Sequence, residues 1–284
     1  MNDRQRALVM VAFGVLLLSP DALVLRWISA DPLHVLTWRG LLMAAGMAFV
    51  LWLRYRAALP RALLRCGWAG VGCALCYCIS TICFLQAISL AGAASTLMIY
   101  SVSPLVAGLA SWAWLGERVP LRSVVAIGVS ALGIALIVSD DSPGANLTGN
   151  LFALAGAALL ALNFTLARSR PTIDMSPALM PGALLAAAFA FVVGGAPVLQ
   201  EAELMVLAVM AGVLLPLGFM LVQLGPRRIG AAEVGLLLLL EVVLGPVWVW
   251  LVLGEVPGPT VLVGGAVVIT ALVGHALAGW RAER

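Results

Sequence analysis

The chain has 284 residues, of which 63% are hydrophobic and 10% are charged, and its mean hydropathy is +1.10. A typical soluble domain has about a quarter of its residues charged, so this composition excludes a soluble protein and places most of the chain in a lipid bilayer. The net charge of +3 comes from 16 basic residues, all arginine. Their positions, given below, favour a role in membrane topology and give no support to a nucleic-acid partner.

Apolar stretches long enough to cross a bilayer, about 20 residues each, predict ten transmembrane helices. They span residues 7–26, 33–53, 67–88, 93–115, 121–139, 149–167, 177–197, 203–224, 231–253 and 258–280. Short loops make neighbouring helices antiparallel, and no strand-like alternation is present. No small-residue cleavage site follows the first apolar run, so we expect it to be a retained span. The predicted fold class is an all-α integral membrane protein.

The arginines predict the orientation of this bundle. If the N-terminus is cytoplasmic, fourteen arginines fall on the cytoplasmic side, and only Arg26 and Arg39 lie in the outer half. The outer loops carry Asp31, Glu201 and Glu255 among other acidic residues. This distribution follows the positive-inside rule. It predicts cytoplasmic N- and C-termini, and we expect the membrane to be a bacterial inner membrane.

The sequence also repeats itself at a fixed offset of 138 residues. Gly92-Ala93-Ala94 leads through an apolar stretch to Leu115-Gly116-Glu117, and Gly230-Ala231-Ala232 leads in the same way to Leu253-Gly254-Glu255. Ten spans in two copies give five per copy, an odd number that inverts the second copy. The sequence therefore predicts two inverted five-helix repeats, residues 1–142 and 143–284, forming one membrane domain.

The residues around these repeats resemble the drug/metabolite transporter superfamily, specifically its EamA-type ten-helix exporters. The matching stretches begin at Ser103-Pro104 and at Leu240-Glu241 and run to the two Leu-Gly-Glu motifs. The chain departs from the family where Val242, rather than proline, follows Glu241, and where Leu18-Ser19-Pro20-Asp21 lacks the family's tryptophan. The resemblance implies a central cavity lined by helices 1, 3, 4, 6, 8 and 9, with helices 5 and 10 peripheral.

Charged and polar residues inside the predicted spans are the candidates for substrate binding, because a charge in the hydrocarbon is costly and therefore suggests function. These candidates are Asp21, Arg39, Tyr77, Ser80, Phe84, Tyr100, Ser103, Asn163, Gln223 and Glu241. Glu241 is the deepest carboxylate and could bind a proton or a substrate amine, or be a buried structural carboxyl. Asp21 could bind a substrate ammonium or pair with Arg26 or Arg39. Arg39 could hold a substrate carboxylate through two parallel hydrogen bonds.

Prolines and glycines in the predicted cavity helices are candidate hinges, because proline removes a helical hydrogen bond and glycine bends easily. They are Pro20, Gly92, Pro104, Gly108, Pro216, Gly218, Gly235 and Gly245. Close helix packing is the alternative role for the glycines.

Other chemistry receives less support. Cys73, Cys76 and Cys78 point in different directions on one helix, so we interpret them as packing residues and predict no metal site. His34 and His275 are far apart, and lysine is absent, so we expect neither an ATP-binding loop nor any cofactor. Nothing in the sequence suggests an enzyme.

The sequence thus predicts a secondary exporter of small amphipathic metabolites that works by alternating access. The family resemblance makes neutral and aromatic amino acids the first candidate substrates, with protons as a candidate coupling ion and the bilayer as the second partner. The alternatives are a sugar, nucleotide-sugar or drug carrier of the same superfamily, a lipid scramblase, or a membrane enzyme acting on lipid.

Overall fold

The structure, a computed structural model, describes residues 3–116, 121–138, 146–256 and 258–282. In this part of the chain the regular structure is entirely helical. The α-helices are α1 Asp3–Leu18, α2 Asp21–Trp27, α3 Pro32–Tyr55, α4 Leu59–Tyr100, α5 Ser103–Leu115, α6 Leu121–Val138, α7 Leu147–Arg168, α8 Leu179–Gly194, α9 Glu201–Val209, α10 Leu215–Gln223, α11 Ala231–Leu253 and α12 Pro259–Ala282. A π-helical turn, Met210–Leu214, joins α9 to α10.

Six helical segments of the described chain are long and apolar enough to cross a membrane. They are Gln5–Trp27, Pro32–Tyr100, Leu147–Arg168, Ser176–Gly194, Glu201–Arg227 and Glu233–Leu253. Two shorter helices, Ser103–Leu115 and Pro259–Ala271, are also apolar. The all-α membrane class is therefore confirmed, while the number of ten spans and the cytoplasmic termini stay predictions.

Glycine and proline divide the longest of these segments. The predicted first span is interrupted at Ser19-Pro20, where α1 ends and α2 begins. Helix α4 changes direction at Gly67 (φ +54°) and at Gly92 (φ +80°), backbone conformations that glycine adopts without the steric penalty of a side chain. The predicted third span begins at Gly67, and the predicted fourth span begins one residue after Gly92.

The two copies of the repeated motif end their helices in the same way. Gly116 closes α5 with φ +70° and ψ 14°, and its N–H donates to Trp112 O at 3.1 Å. Gly254 closes α11 with φ +70° and ψ 8°, and its N–H donates to Trp250 O at 2.9 Å. A left-handed glycine after the last turn is a common helix stop. Glu117 of the first motif lies outside the described residues.

Helix packing is symmetric between the two halves of the chain. Helix α1 packs on α10 while α4 packs on α7, and α3–α8, α5–α11 and α6–α12 also pack together. Exchanging the first five predicted spans with the last five returns the same set of contacts, as a pseudo-two-fold relation requires. The predicted division at residue 142 lies outside the described residues and stays a prediction.

Small residues let these helices approach closely, as in many membrane bundles. On α3, a Cβ placed on Gly46 would collide with Gly212 O of the π-helical turn, and one on Gly40 would lie 2.6 Å from Ala183 O. A Cβ placed on Gly212 would meet nothing within 4 Å. The close approach of α3 to the second half of the chain therefore depends on the glycine on one side only.

This asymmetry predicts different effects for two otherwise equal substitutions. Gly46→Ala should lower the free energy of unfolding by about 1–3 kcal/mol, because the new methyl group forces the helices apart. Gly212→Ala should leave the stability nearly unchanged. Thermal unfolding of both variants in detergent, followed by tryptophan fluorescence, measures the difference. Equal destabilisation by the two variants would contradict this packing.

Candidate functional site

A cavity lies at the centre of the bundle, between both halves of the chain. It is lined by Leu18, Asp21, Arg39, Tyr77, Ser80, Thr81, Phe84, Leu97, Tyr100, Ser101, Ser103, Leu160, Phe164, Phe219, Gly235, Leu238, Glu241 and Val242. The lining is mostly apolar and aromatic with a few polar groups, which is typical of small-molecule sites. None of the described residues of α6 and α12 lines it, as the family resemblance implied for predicted helices 5 and 10.

Asp21 and Arg39 form a buried ion pair on one wall of this cavity. Arg39 Nη2 donates to Asp21 Oδ2 at 2.7 Å, and the two side chains are 3% and 4% exposed. The alternative partner, Arg26, instead pairs with Glu255 near the outer end. Asp21 begins α2 directly after the Pro20 break, and Arg39 lies in the body of α3. Because Arg39 belongs to the predicted second span, this span also lines the cavity, whereas the family resemblance implied a lining from helices 1, 3, 4, 6, 8 and 9.

The pair leaves hydrogen-bonding capacity unused. Asp21 Oδ1, Arg39 Nε and the Tyr77 hydroxyl are buried and have no hydrogen-bond partner among the described residues. Thr81 lies close to the Tyr77 hydroxyl, but the geometry between them is not that of a hydrogen bond. Buried polar groups in proteins are nearly always paired. Three unpaired atoms from three lining residues therefore mark a place where a polar ligand can bind.

Glu241 lies on α11 in the lining of the same cavity and is partly accessible. No arginine of the described chain lies within 4.0 Å of its carboxylate. Asp21, Arg39 and Glu241 are the charged residues of the lining. With Asp21 and Arg39 paired, the charge of the cavity depends on whether Glu241 carries a proton.

Aromatic rings form the other part of the wall. Phe84 and Tyr100 meet edge to face with centroids 5.0 Å apart, and Tyr77 and Phe219 do so at 5.3 Å. The Tyr100 hydroxyl donates to Ser80 O at 3.2 Å, and Ser80 Oγ donates to Gly156 O at 2.9 Å. The first bond ties Tyr100, at the end of α4, to the middle of the same helix, and the second joins α4 to α7.

Eight of the ten predicted substrate-binding residues line the cavity, and Asn163 and Gln223 do not. Asn163 Nδ2 donates to Gln223 Oε1 at 2.8 Å, and Gln223 Nε2 donates to Asn163 Oδ1 at 3.3 Å. Both side chains are buried, and this reciprocal pair joins α7 to α10. Sequence reasoning missed Thr81 and Phe219, although Thr81 lies one helical turn after Tyr77 on the same face.

The predicted hinge residues have several structural settings. Pro20 and Gly92 lie at helix breaks, Pro104 is in the first turn of α5, and Pro216 is in the first turn of α10. Three glycines lie at close contacts: Gly218 against Leu18, Gly235 against Pro104 and Gly245 against Leu97. Gly108 has open space around it. Hinge motion stays a prediction, and close packing describes the three contact glycines in this conformation.

Contacts between the two halves lie on either side of the cavity. On the predicted outer side, Arg26 Nε donates to Glu255 at 2.9 Å, and Trp248 Nε1 donates to Ser19 Oγ at 3.2 Å. On the opposite side there are two contacts: the Asn163–Gln223 pair, and a hydrogen bond that Arg168 Nη1 donates to Pro226 O at 3.2 Å. The cavity itself is small, with a volume of about 60 Å³, which is room for a few water molecules.

Two further polar side chains have structural contacts. The Glu233 carboxylate accepts a hydrogen bond from Gly230 N at 3.1 Å and so caps α11. Cys73 Sγ donates to Asn163 O at 3.6 Å. Within the described residues, no group of three or more His, Cys, Asp or Glu side chains is placed to hold a metal ion.

The ion pair predicts a strong coupling between its two members. Asp21→Asn or Arg39→Gln alone should destabilise the protein by about 3–5 kcal/mol, because each leaves an uncompensated buried charge. The double variant should lose less than the sum of the two single losses. Thermal unfolding of the four proteins in detergent gives this coupling directly. Strictly additive losses would show that the two side chains do not interact.

Comparison with known proteins agrees with this architecture. Residues 6–139 match the sequence profile of the EamA-like transporter family. A solved crystal structure, 19% identical in sequence, superposes over 99% of this chain and 100% of its own with a TM-score of 0.69, a likeness that shows the fold alone. None of the curated proteins is significantly similar in sequence. Over residues 6–139 the chain is thus similar to the EamA-like transporter family, a match consistent with the drug/metabolite transporter superfamily and with a multi-pass membrane protein.

Proposed function

We propose that this protein is a secondary transporter that exports small amphipathic zwitterions, first of all neutral and aromatic amino acids, across a bacterial inner membrane. The observation that carries the proposal is the buried Asp21–Arg39 pair, with unpaired atoms next to it, in a cavity whose lining is mostly apolar and aromatic. A free amino acid combines the same elements: one carboxylate, one ammonium and a side chain.

The charges of the cavity suit both ends of such a substrate. Arg39 has an unpaired Nε beside the Nη2 that bonds Asp21, so a substrate carboxylate could be held by guanidinium hydrogen bonds and by the Tyr77 hydroxyl. Asp21 Oδ1 and the Glu241 carboxylate could then accept from the ammonium group. Binding a zwitterion here adds no net charge to the low-dielectric interior, whereas a purely cationic or anionic substrate would add one.

The aromatic rings suit the side chain of an apolar or aromatic amino acid. Phe84, Tyr100 and Phe219 face the same cavity as the charged groups, and aromatic pairs contribute about 0.5–1.5 kcal/mol beyond the area that they bury. The space in this conformation is too small for an aromatic side chain together with its charged groups. The lining must therefore move apart when a substrate of this size enters.

Alternating access provides that movement. The contacts on either side of the cavity join the first half of the chain to the second, and the ion pair Arg26–Glu255 is about 40% exposed. Ion pairs with this exposure contribute only about 0–1 kcal/mol, so opening towards the predicted outer side costs little. The Asn163–Gln223 pair lies on the other side and is buried, so we assign the larger barrier to that side.

Proton coupling through Glu241 is the mechanism that we favour over passive facilitation. A carboxylate that forms no ion pair with an arginine is costly in the hydrocarbon, and a proton removes that cost. Binding of a proton to Glu241 in one orientation and its release in the other would link the proton gradient to the movement of substrate.

Glu241→Gln should therefore abolish transport driven by a pH gradient and leave exchange of substrate without a gradient. The measurement is uptake of radiolabelled phenylalanine, tryptophan, methionine and threonine into liposomes containing the purified protein, beside a sugar and a cationic dye. Glu233→Gln is the matched control, because it makes the same change near the start of the same helix, outside the cavity lining. Gradient-independent flux in the wild type would identify a facilitator, and flux of only the sugar or the dye would contradict the proposed substrates.

Tyr77→Phe should weaken substrate binding by about 10- to 150-fold, since a hydrogen bond to a charged group contributes about 1.5–3 kcal/mol. Stability should not fall, because the lost hydroxyl has no partner among the described residues. Tyr100→Phe is the comparison: its hydroxyl is already bonded to Ser80 O, so it should lose stability rather than affinity. KM for amino-acid uptake and the unfolding temperature separate the two variants. An unchanged KM in Tyr77→Phe would remove this hydroxyl from the substrate site.

A further inference from the structure

A second site lies at the arginine-rich end of the bundle, away from the central cavity. A cleft there is bounded by the end of α3, the first turns of α4 and the segment between α7 and α8, and it offers about 370 Å³ for the centres of water molecules. Arg61, Arg65 and Arg227 line it, with Asp174 as the acidic residue of the lining. We propose that this cleft binds the phosphate headgroup of an anionic phospholipid.

The single acidic residue does not neutralise the cleft. Asp174 Oδ2 accepts from the Tyr55 hydroxyl at 2.5 Å and lies 3.3 Å from Arg54 Nη2, while Oδ1 accepts from Ser176 N and Oγ. Its charge is thus directed at Arg54, which is outside the lining. In the described part of the chain no carboxylate lies within 4.0 Å of Arg61 or Arg65. The cleft therefore carries an excess of positive charge.

The arginines are placed to act together on one anion. Arg61 and Arg65 are four residues apart on the first segment of α4, so their side chains lie on the same face. Like charges at this spacing repel each other, and an anion between them removes that cost. Arg227 is held from the other side, because its Nε donates to Pro171 O at 3.2 Å and its Nη2 to Thr172 O at 3.4 Å.

The surroundings of the cleft favour a lipid over a soluble phosphate compound. Leu64, between the two arginines, is 81% exposed, and Trp68 is 53% exposed, with its ring 6.0 Å from that of Trp114. Exposed tryptophan is typical of the headgroup level of a membrane, and basic pockets between helices on the cytoplasmic side bind anionic headgroups. The positive-inside rule predicts this face to be cytoplasmic, where acidic lipids are available.

The test is native mass spectrometry of the full-length protein in detergent with equal amounts of phosphatidylglycerol and phosphatidylcholine of the same acyl chains. The wild type should retain phosphatidylglycerol preferentially. Arg61→Gln combined with Arg65→Gln should weaken that retention by about fivefold for each arginine removed. Arg6→Gln combined with Arg228→Gln removes two charges from the same predicted face, outside the cleft lining, and should keep the preference.

Arg61→Lys combined with Arg65→Lys preserves the charge and guards against a folding defect, so it should retain most of the binding. Equal retention of both lipids by the wild type, or equal losses in the two glutamine variants, would overturn the proposal. Displacement of the lipid by millimolar inorganic phosphate would overturn it as well, in favour of a soluble anion. The assay involves no transport, so its outcome is independent of the proposed function.

Discussion

The pairing of Arg39 with Asp21 is the interaction on which the arrangement of the central cavity depends. A guanidinium in the hydrocarbon interior is tolerated only with a partner, and the partner lies on a separate short helix. The break at Ser19-Pro20 gives that helix its own direction, and the bond from Trp248 to Ser19 Oγ ties the break to α11. The ion pair thus connects α2 and α3 in one wall, and α11 brings Glu241 to the lining of the same cavity.

The rest of the bundle supports this wall through contacts of two kinds. Close approaches at glycine, such as Gly46 against Gly212, pack α3 tightly against the second half of the chain. The contacts on either side of the cavity are instead hydrogen bonds and ion pairs, which can be exchanged for water or substrate at modest cost. Alternating access needs contacts of both kinds. Tightly packed helices move together as one unit, while the exchangeable polar contacts between units break and re-form.

The sequence predicted the class of the fold well, since hydropathy and arginine positions act locally and need no tertiary information. The helix breaks at Gly67 and Gly92 coincide with predicted span boundaries for the same reason. The candidate site was predicted less evenly. Polar residues in the interior were found because they are rare there, but Asn163 and Gln223 satisfy each other, and a pairing across 60 residues depends on how two helices are rotated. That rotation leaves no signal in a single sequence.

Arginine shows how depth alone can give one residue type three roles in this chain. In the loops the arginine side chain is fully hydrated, so its charge costs little free energy, and it biases the orientation of the helices. At the headgroup level, as with Arg61 and Arg65, it remains accessible to water but meets the phosphate layer, so its charge becomes available for binding lipid. At Arg39, about 24 Å along α3 from Tyr55 by helical rise, hydration is lost and the charge must be balanced by protein or substrate. Because the unpaired Nε is at this depth, the demand for a partner is strongest where the substrate would bind, and a zwitterion can meet that demand without adding net charge to the interior.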